Sequence, residues 1–355
     1  MKNILLYLLI LLMSATAIAQ VISKKSESPL LEMTEAVTTG QYPGIHSILI
    51  SKPGQPLHEH YFNGYSADSL HDTRSSFKSI TSLLVGIAID KGFIKNVNQK
   101  VADFFPENES FKTDPYKKEM TLKNLLEMKS GFDCEEFNET KDCEESMSQS
   151  KDWVQFSLDL PMKDLPGEKW AYTSVDPMLF SGIIEKSTGL SVMDFAKKYL
   201  FAPLHITQYR WTTDPAGHGM TAGSFYMLPK DALKLGQLVQ NNGKWHGKRI
   251  VSQSWLREST ACAIPIPDFS FSRRNTIGIP QPTYYGYYWY REVIKTPELE
   301  VPLLFASGNG GQYIFIIQDM DLVVVFNQGN YNSSKAKQAF EIMARYILPT
   351  YKKKL

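Results

Sequence analysis

Ten residues, Ile80 to Ile89, are apolar on nearly every side once wound into a helix, so this segment has to be buried. Asp90-Lys91-Gly92 gives it a polar end with a glycine stop. Immediately before it stands Thr73-Arg74-Ser75-Ser76-Phe77-Lys78-Ser79. The reading places Ser75 in the first turn, with Lys78 three residues on, so the two side chains project from one face. A lysine at the mouth of a buried helix is costly unless something uses it.

Spacing alone does not decide the matter. Ser-x-x-Lys recurs at Ser148/Lys151, in a polar stretch, and at Ser334/Lys337, which opens an amphipathic helix near the C-terminus. Ser75 and Lys78 could equally be a helix cap with a snorkelling lysine. The rest of the chain has to choose.

Met1 to Ala19 reads as an export signal. Lys2 gives a positive start, Ile4 to Met13 is an almost unbroken apolar core, and Ala17-Ile18-Ala19 suits cleavage before Gln20. That core is shorter than the about 20 residues that span a bilayer, and no lipobox cysteine follows. A retained N-terminal anchor is the alternative. The expectation is a periplasmic or secreted protein with no stable membrane insertion after cleavage.

The whole chain carries a formal charge of +1, and its one basic block is Lys352-Lys353-Lys354, so nothing points to nucleic acid. Of three cysteines, Cys134 and Cys143 flank the acidic loop Glu135 to Asp142, which they either close as a disulfide or leave open. Cys262 reads as a buried small hydrophobe. His58 and His60 share a strand face but lack a third ligand, so no metal site is expected.

Hairpins are expected near both ends of the chain. One takes Ser47–Ser51 and Leu57–Phe62 around Lys52-Pro53-Gly54, and the other takes Tyr313–Ile317 and Leu322–Phe326 around Asp319-Met320-Asp321. A last helix runs from about Ser334 to Ile347, stopped by Pro349. Helical fragments fill the middle, at Leu122–Met128, Trp153–Leu158, Met178–Lys186, Val192–Leu200 and Lys230–Asn241. The fold class is α+β: one antiparallel sheet built from both termini, with a helical lobe beside it. The sheet lobe is expected over about 30–72 and 290–345, and the helical lobe over about 73–289, within one domain, 20–355.

Two further stretches gain meaning from their order. Tyr172-Thr173-Ser174 follows the Pro166-Gly167-Glu168 turn, although with 18 tyrosines one Tyr is no signal by itself. Ala306-Ser307-Gly308-Asn309-Gly310-Gly311-Gln312 precedes the late hairpin, where glycines let backbone approach a ligand or simply turn into the strand.

Ser75-x-x-Lys78, Tyr172-x-Ser174 and Ala306-Ser307-Gly308, in that order, resemble the three motifs of serine hydrolases related to class C β-lactamases and penicillin-binding proteins. The resemblance spans roughly 40 to 345 and takes in Leu125–Gly131 and Leu235–Trp245. It implies a β-lactamase/transpeptidase-like fold with the site between sheet and helical lobe. It also implies no cofactor, and a small-molecule or peptide-like ester or amide substrate. Ser75 would be the nucleophile that forms an acyl-enzyme, with Lys78 and Tyr172 as base and proton relay. Tyr172 is expected to ionise more easily beside the lysine charge. Backbone N–H groups of Ser75 and Asn309 would hold the oxyanion, with Ser174, Ser307, Gly308 and Gln312 lining the substrate site.

Departures from the pattern narrow the reading. Many relatives have asparagine at the place of Ser174, and lactamases and transpeptidases have lysine or histidine at the place of Ala306. The chain therefore looks like the esterase and 6-aminohexanoate-dimer hydrolase branch. A β-lactamase or D-Ala-D-Ala-type peptidase is the alternative, and a non-catalytic binding protein the second alternative. Tyr284 to Tyr290 is the most aromatic segment and reads as a core-facing strand; one or two of its rings, and Trp211, are expected to line the pocket. Nothing in the sequence bears on oligomeric state.

Overall fold

The structure is a computed structural model that describes residues 29–53, 55, 57–136, 140, 142–266, 270, 271 and 278–352. The segment read as an export signal, Met1 to Ala19, lies outside the described residues. A helix over 29–38 (α1) leads into an eight-stranded antiparallel sheet. In chain order its strands are β1 (Ile45–Ser51), β2 (His58–Tyr61), β3 (Ile264–Pro265), β4 (Tyr284–Gly286), β5 (Trp289–Lys295), β6 (Glu300–Gly308), β7 (Gln312–Ile317) and β8 (Leu322–Gln328). Their spatial order is β2-β1-β8-β7-β6-β5-β4-β3. The two expected hairpins are present, and they meet where β1 pairs with β8, Ile48 opposite Phe326 and Ser51 opposite Val323.

Every residue of β7 and β8 is buried. Both faces are therefore covered, which explains the unbroken apolar runs in place of an alternating pattern. The helix Pro229–Gln240 packs against β1, β7 and β8. Gly236 makes this close approach possible, since a Cβ there would lie 2.5 Å from Val323 Cγ1 and 2.8 Å from Ile314 Cγ2. On the other face Phe340 of the C-terminal helix meets the rings of Phe305, Tyr313 and Phe315 edge-on.

The lobe boundary expected near residue 290 falls too late. β3 and β4, within the stretch assigned to the helical lobe, hydrogen-bond into the sheet. The aromatic segment was hard to divide because it is a hairpin and not one strand. Tyr287 and Tyr288 form its two-residue turn, both with positive φ (44° and 71°), and Gly286 pairs with Trp289. Such turns favour Asn-Gly; two tyrosines hold this one because their rings are buried. Tyr288 Oη donates to Leu125 O at 3.0 Å, and Tyr287 Oη bonds Glu258 Oε1 at 2.9 Å.

Pro349 does not stop the last helix. The chain passes from Gln338–Ile342 through a wider turn, Met343–Ile347, into Leu348–Tyr351, where Pro349 occupies the first turn and needs no N–H partner.

α2 (Phe77–Asp90) is the buried helix, with 12 residues from Phe77 to Ala88 inside. It packs against the helix Val175–Thr188 and against β6. Its polar residues tie it to neighbouring loops: Ser79 Oγ donates to Tyr288 O at 2.6 Å, and Thr81 Oγ1 to Thr221 O at 2.7 Å. Among the described residues no helix is long and apolar enough to cross a membrane.

Candidate active site

Ser75 lies in a single tight turn, Arg74–Ser76, that runs straight into α2. Arg74 takes a left-handed backbone, φ 48°, a conformation that costs a non-glycine residue energy unless its surroundings impose it. Asp72 supplies the restraint. Its Oδ1 accepts from Arg74 N at 2.9 Å, and its Oδ2 pairs with Arg74 Nε at 3.0 Å, while Tyr331 covers the guanidinium at 4.8 Å. The turn presents Ser75 half-buried at a cavity of about 520 Å³.

Lys78 is almost fully enclosed, at 2 % exposure. An ammonium has three N–H donors, and here each has an acceptor: Ser75 Oγ at 3.1 Å, Ser174 Oγ at 3.1 Å and Ala222 O at 3.0 Å. All three acceptors are uncharged. Tyr172 lies alongside, its ring centroid 4.9 Å from Lys78 Nζ, and its hydroxyl is within hydrogen-bonding reach of Ser75 and Tyr290. The two motif segments, 94 residues apart at Lys78 and Tyr172, thus meet at one hydroxyl.

The expected easy ionisation of Tyr172 is not what the site provides. Burial pushes its phenol well above the usual range, and the nearby Glu136 carboxylate pushes it further. Tyr172 is a neutral phenol here, able to donate one hydrogen bond and accept another.

Backbone contact brings the third segment in. A Cβ on Gly308 would lie 2.5 Å from Thr73 O and 3.1 Å from Ser76 N, so only glycine lets β6 lie against the serine turn. Ser307, Gly308 and Asn309 line the cavity with Ser75 and Tyr172. Asn309 is fixed from outside: its Nδ2 donates to Asn332 Oδ1 at 2.7 Å, and its Oδ1 accepts from Asn332 N at 2.9 Å. Gly310 and Gly311, at φ 87° and 96°, carry the turn.

Gln312 and Trp211 do not belong to this cavity. Strand alternation turns Gln312 away from Tyr313, and its side chain bonds Gln328 O at 2.5 Å and Asn327 Nδ2 at 3.2 Å. Trp211 packs among Phe77, Phe201 and Phe225, and its Nε1 donates to Met220 O at 2.8 Å. Ser174 does not line the cavity either, but it holds Lys78 from behind and donates to Glu144 Oε1 at 3.2 Å.

Tyr290 lines the cavity, as expected of one or two rings of the aromatic segment, whereas the other lining residues were not legible as such. Tyr290, Trp170, Phe271 and Ile266 form the aromatic and apolar wall. The Ser334 and Lys337 pair, which read as an ordinary surface helix, also lines the cavity, with Lys337 Nζ 4.9 Å from the Phe271 ring. Cys134 and Cys143 are bonded, which resolves the alternatives left by their spacing. Their loop brings Glu136, Asp142 and Glu144 to the cavity rim.

Elsewhere Asp152, Asp214 and His218 place ligand-type atoms within 4.8 Å of one another, beside a second hollow. Asp214 is already committed there to Trp153 N at 2.8 Å and to His218 N at 2.7 Å, which makes the group a brace between loop and helix.

A serine, a lysine and a tyrosine thus converge on one hydroxyl between the antiparallel sheet and the helical lobe. The chain belongs to the β-lactamase family, whose model matches residues 30–347. It is 25% identical over 228 residues to the 6-aminohexanoate-dimer hydrolase of Paenarthrobacter ureafaciens, a match covering 61% of this chain and 57% of that protein. The D-amino acid amidase of Ochrobactrum anthropi SV3, solved with L-phenylalanine amide, has a TM-score of 0.68 and 17% identity, over 92% of this chain and 98% of that one. The octameric penicillin-binding protein homologue of Pyrococcus abyssi has a TM-score of 0.66 and 19% identity, over 93% of this chain and 79% of that one. These likenesses establish the β-lactamase/transpeptidase-like fold.

Proposed function

We propose that this chain is an exported serine hydrolase, periplasmic or secreted, that cleaves an ester or amide bond through an acyl-enzyme on Ser75. The observation that carries the reading is Lys78 Nζ, buried behind the serine, at 3.1 Å from Ser75 Oγ, with Ser75 opening on a cavity that Tyr172 also lines. In its neutral form Lys78 keeps two donors for Ser174 Oγ and Ala222 O and turns its lone pair to the Ser75 hydroxyl. It is then the initial base, and Tyr172 acts as a neutral relay.

Attack of Ser75 Oγ on the substrate carbonyl forms the C–O bond as the hydroxyl proton moves to Lys78 Nζ. The oxyanion is held by backbone N–H groups of Ser75 and Asn309. Collapse breaks the bond to the leaving group, which takes its proton from Lys78 through the Tyr172 hydroxyl. Water then repeats the sequence on the acyl-enzyme, releasing acid and restoring Ser75. The aromatic wall of Trp170, Tyr290 and Phe271 suits an apolar acyl or leaving portion. The names of the relatives favour small amides as the first substrates to try.

Mass mapping after treatment with a fluorophosphonate tests this directly. An adduct on Ser75, and loss of all turnover in Ser75→Ala, are the expected results. Turnover retained in that variant would sink the assignment.

One observation favours a second reading, a β-lactamase or D-Ala-D-Ala-type peptidase. Lys337 brings a cation to the cavity from the C-terminal helix, although Ala306 brings none from β6. Turnover of a chromogenic cephalosporin comparable to that of simple esters would move this reading ahead. With Ala306 in place we expect such turnover to be far slower.

A further inference from the structure

Lys78 is buried with three uncharged acceptors, and a buried cation with no countercharge is unfavourable by several kcal/mol or more. The carboxylate whose field acts on it comes from outside the three motifs. Glu136 stands two residues after Cys134, in the disulfide-closed loop. Four contacts bind this loop and the helix after it to the second motif. Glu136 N donates to Tyr172 O at 2.9 Å, and Thr173 Oγ1 lies 3.1 Å from Cys134 Sγ. Ser174 Oγ donates its one proton to Glu144 Oε1 at 3.2 Å and lies beside the Glu136 carboxyl. Ser174 is thus the link between Lys78 and the two acids, a place where asparagine would reach in two directions by itself.

Resting on the serine-hydrolase reading, we propose that Glu136 is the positioning residue and counter-charge of Lys78. Ionised, it holds Lys78 as the ammonium; protonated, it leaves Lys78 free to take the Ser75 proton. The local geometry fits this use. Glu136 lines the cavity, and its Oε1 is buried with no hydrogen-bond partner among the described residues. A carboxylate with all its lone pairs engaged would be a fixed structural anion, whereas this one keeps an open site for a proton.

The groups facing it come from every side: Lys78 from α2, Glu144 and Asp142 from the end of its own loop, Tyr172 from the second motif and Tyr290 from β5. Burial raises the Glu136 carboxyl most, the Lys78 charge draws it down, and Glu144 and Asp142 raise it again, which leaves it at about 7. The Glu136 carboxyl therefore changes its charge near neutral pH.

The test is the rate of fluorophosphonate labelling of Ser75 from pH 5 to 10, in the wild type, Glu136→Gln and Glu136→Asp. Removing the carboxylate takes away the negative charge that favours the ammonium form. The ascending limb of Glu136→Gln should therefore move down by about one pH unit or more, the usual effect of one nearby opposite charge. Glu136→Asp, which keeps the charge, should return the limb toward that of the wild type. A residue that only packs the loop would lower the rate without moving the limb. A limb that stays in place or moves up in Glu136→Gln overturns the proposal. Should the amide variant lose its cooperative melt, Glu136→Ala is read in its place against the same two outcomes. A wild type that takes no label fails the serine-nucleophile reading and this proposal with it, whereas a labelled wild type with an unmoved limb fails this proposal alone.

Discussion

Two acids flanking the second motif in sequence, one half-buried and one buried, show how single residues set the behaviour of this site. Glu136 faces the cavity, whereas Asp176, in the first turn of the helix Val175–Thr188, is wholly enclosed. Burial raises the Asp176 carboxyl well above its usual range, and neighbouring Ser130 only partly offsets this. Its folded pKa lies above its unfolded one, so the folded state binds more protons, and stability falls as pH rises from the unfolded value. Asp176→Asn removes that loss. The urea midpoint of the variant should exceed that of the wild type at pH 8, and the difference should shrink toward pH 5; a difference that grows on acidification would contradict the assignment. Tyr172→Phe should leave the melt nearly unchanged and cut kcat by about 10²–10⁴-fold, the usual worth of a positioned proton relay. Ser75 and Lys78 were legible because their chemistry is local, a short spacing at the mouth of a segment too apolar to be exposed, whereas Tyr172 could be picked out only by the order of the three motifs. Glu136 was not, because its meaning depends on a disulfide and on contacts with a segment some 36 residues away. Gln312 was misplaced because a glycine-rich stretch hides the alternation that begins with the strand.

At the scale of elements, backbone approach decides what can stand next to the serine. β6 lies against the turn Arg74–Ser76 through Gly308, where a methyl group would meet Thr73 O, a backbone atom that cannot swing aside. Gly308→Ala should lower stability by about 1–3 kcal/mol, the cost typical of overpacking, and should also slow fluorophosphonate labelling. A variant with native melting and native labelling would show that the strand has room to retreat. Hairpins at both ends were readable from runs of β-branched and aromatic residues broken by turn residues. The Tyr287-Tyr288 turn was not, because neither tyrosine advertises a left-handed backbone; what imposes it is the pair of distant partners, Leu125 and Glu258, that the two hydroxyls reach. The same holds for Pro349, which ends a helix in most sequences and is accommodated here by the wider turn before it.

For the molecule as a whole, the disulfide is the only covalent link, among the described residues, between segments that are not neighbours in the chain. It closes a short loop, so chain entropy limits its contribution to about 2–3 kcal/mol. A double variant, Cys134→Ser with Cys143→Ser, should lose up to that much in urea unfolding. It should also lose the pH behaviour attributed to Glu136, because the loop no longer holds the carboxylate against Ser174. The sheet-plus-helices architecture was legible because strand patterns sit at the two ends of the chain and helical patterns between them. The boundary between the lobes was not, since β3 is only two residues long and carries no periodicity.

The pairing of β1 with β8 also dictates when this molecule can be finished. Ile48 waits for Phe326, a partner 278 residues later, so the sheet closes only after nearly all of the chain has been made. Until then the β1 edge of the β1–β2 hairpin stands open, a template for pairing with another nascent chain. Folding of such high contact order is slow and exposed to aggregation. A chain delivered unfolded to its destination and released whole would avoid most of that exposure, because both partners would then arrive together.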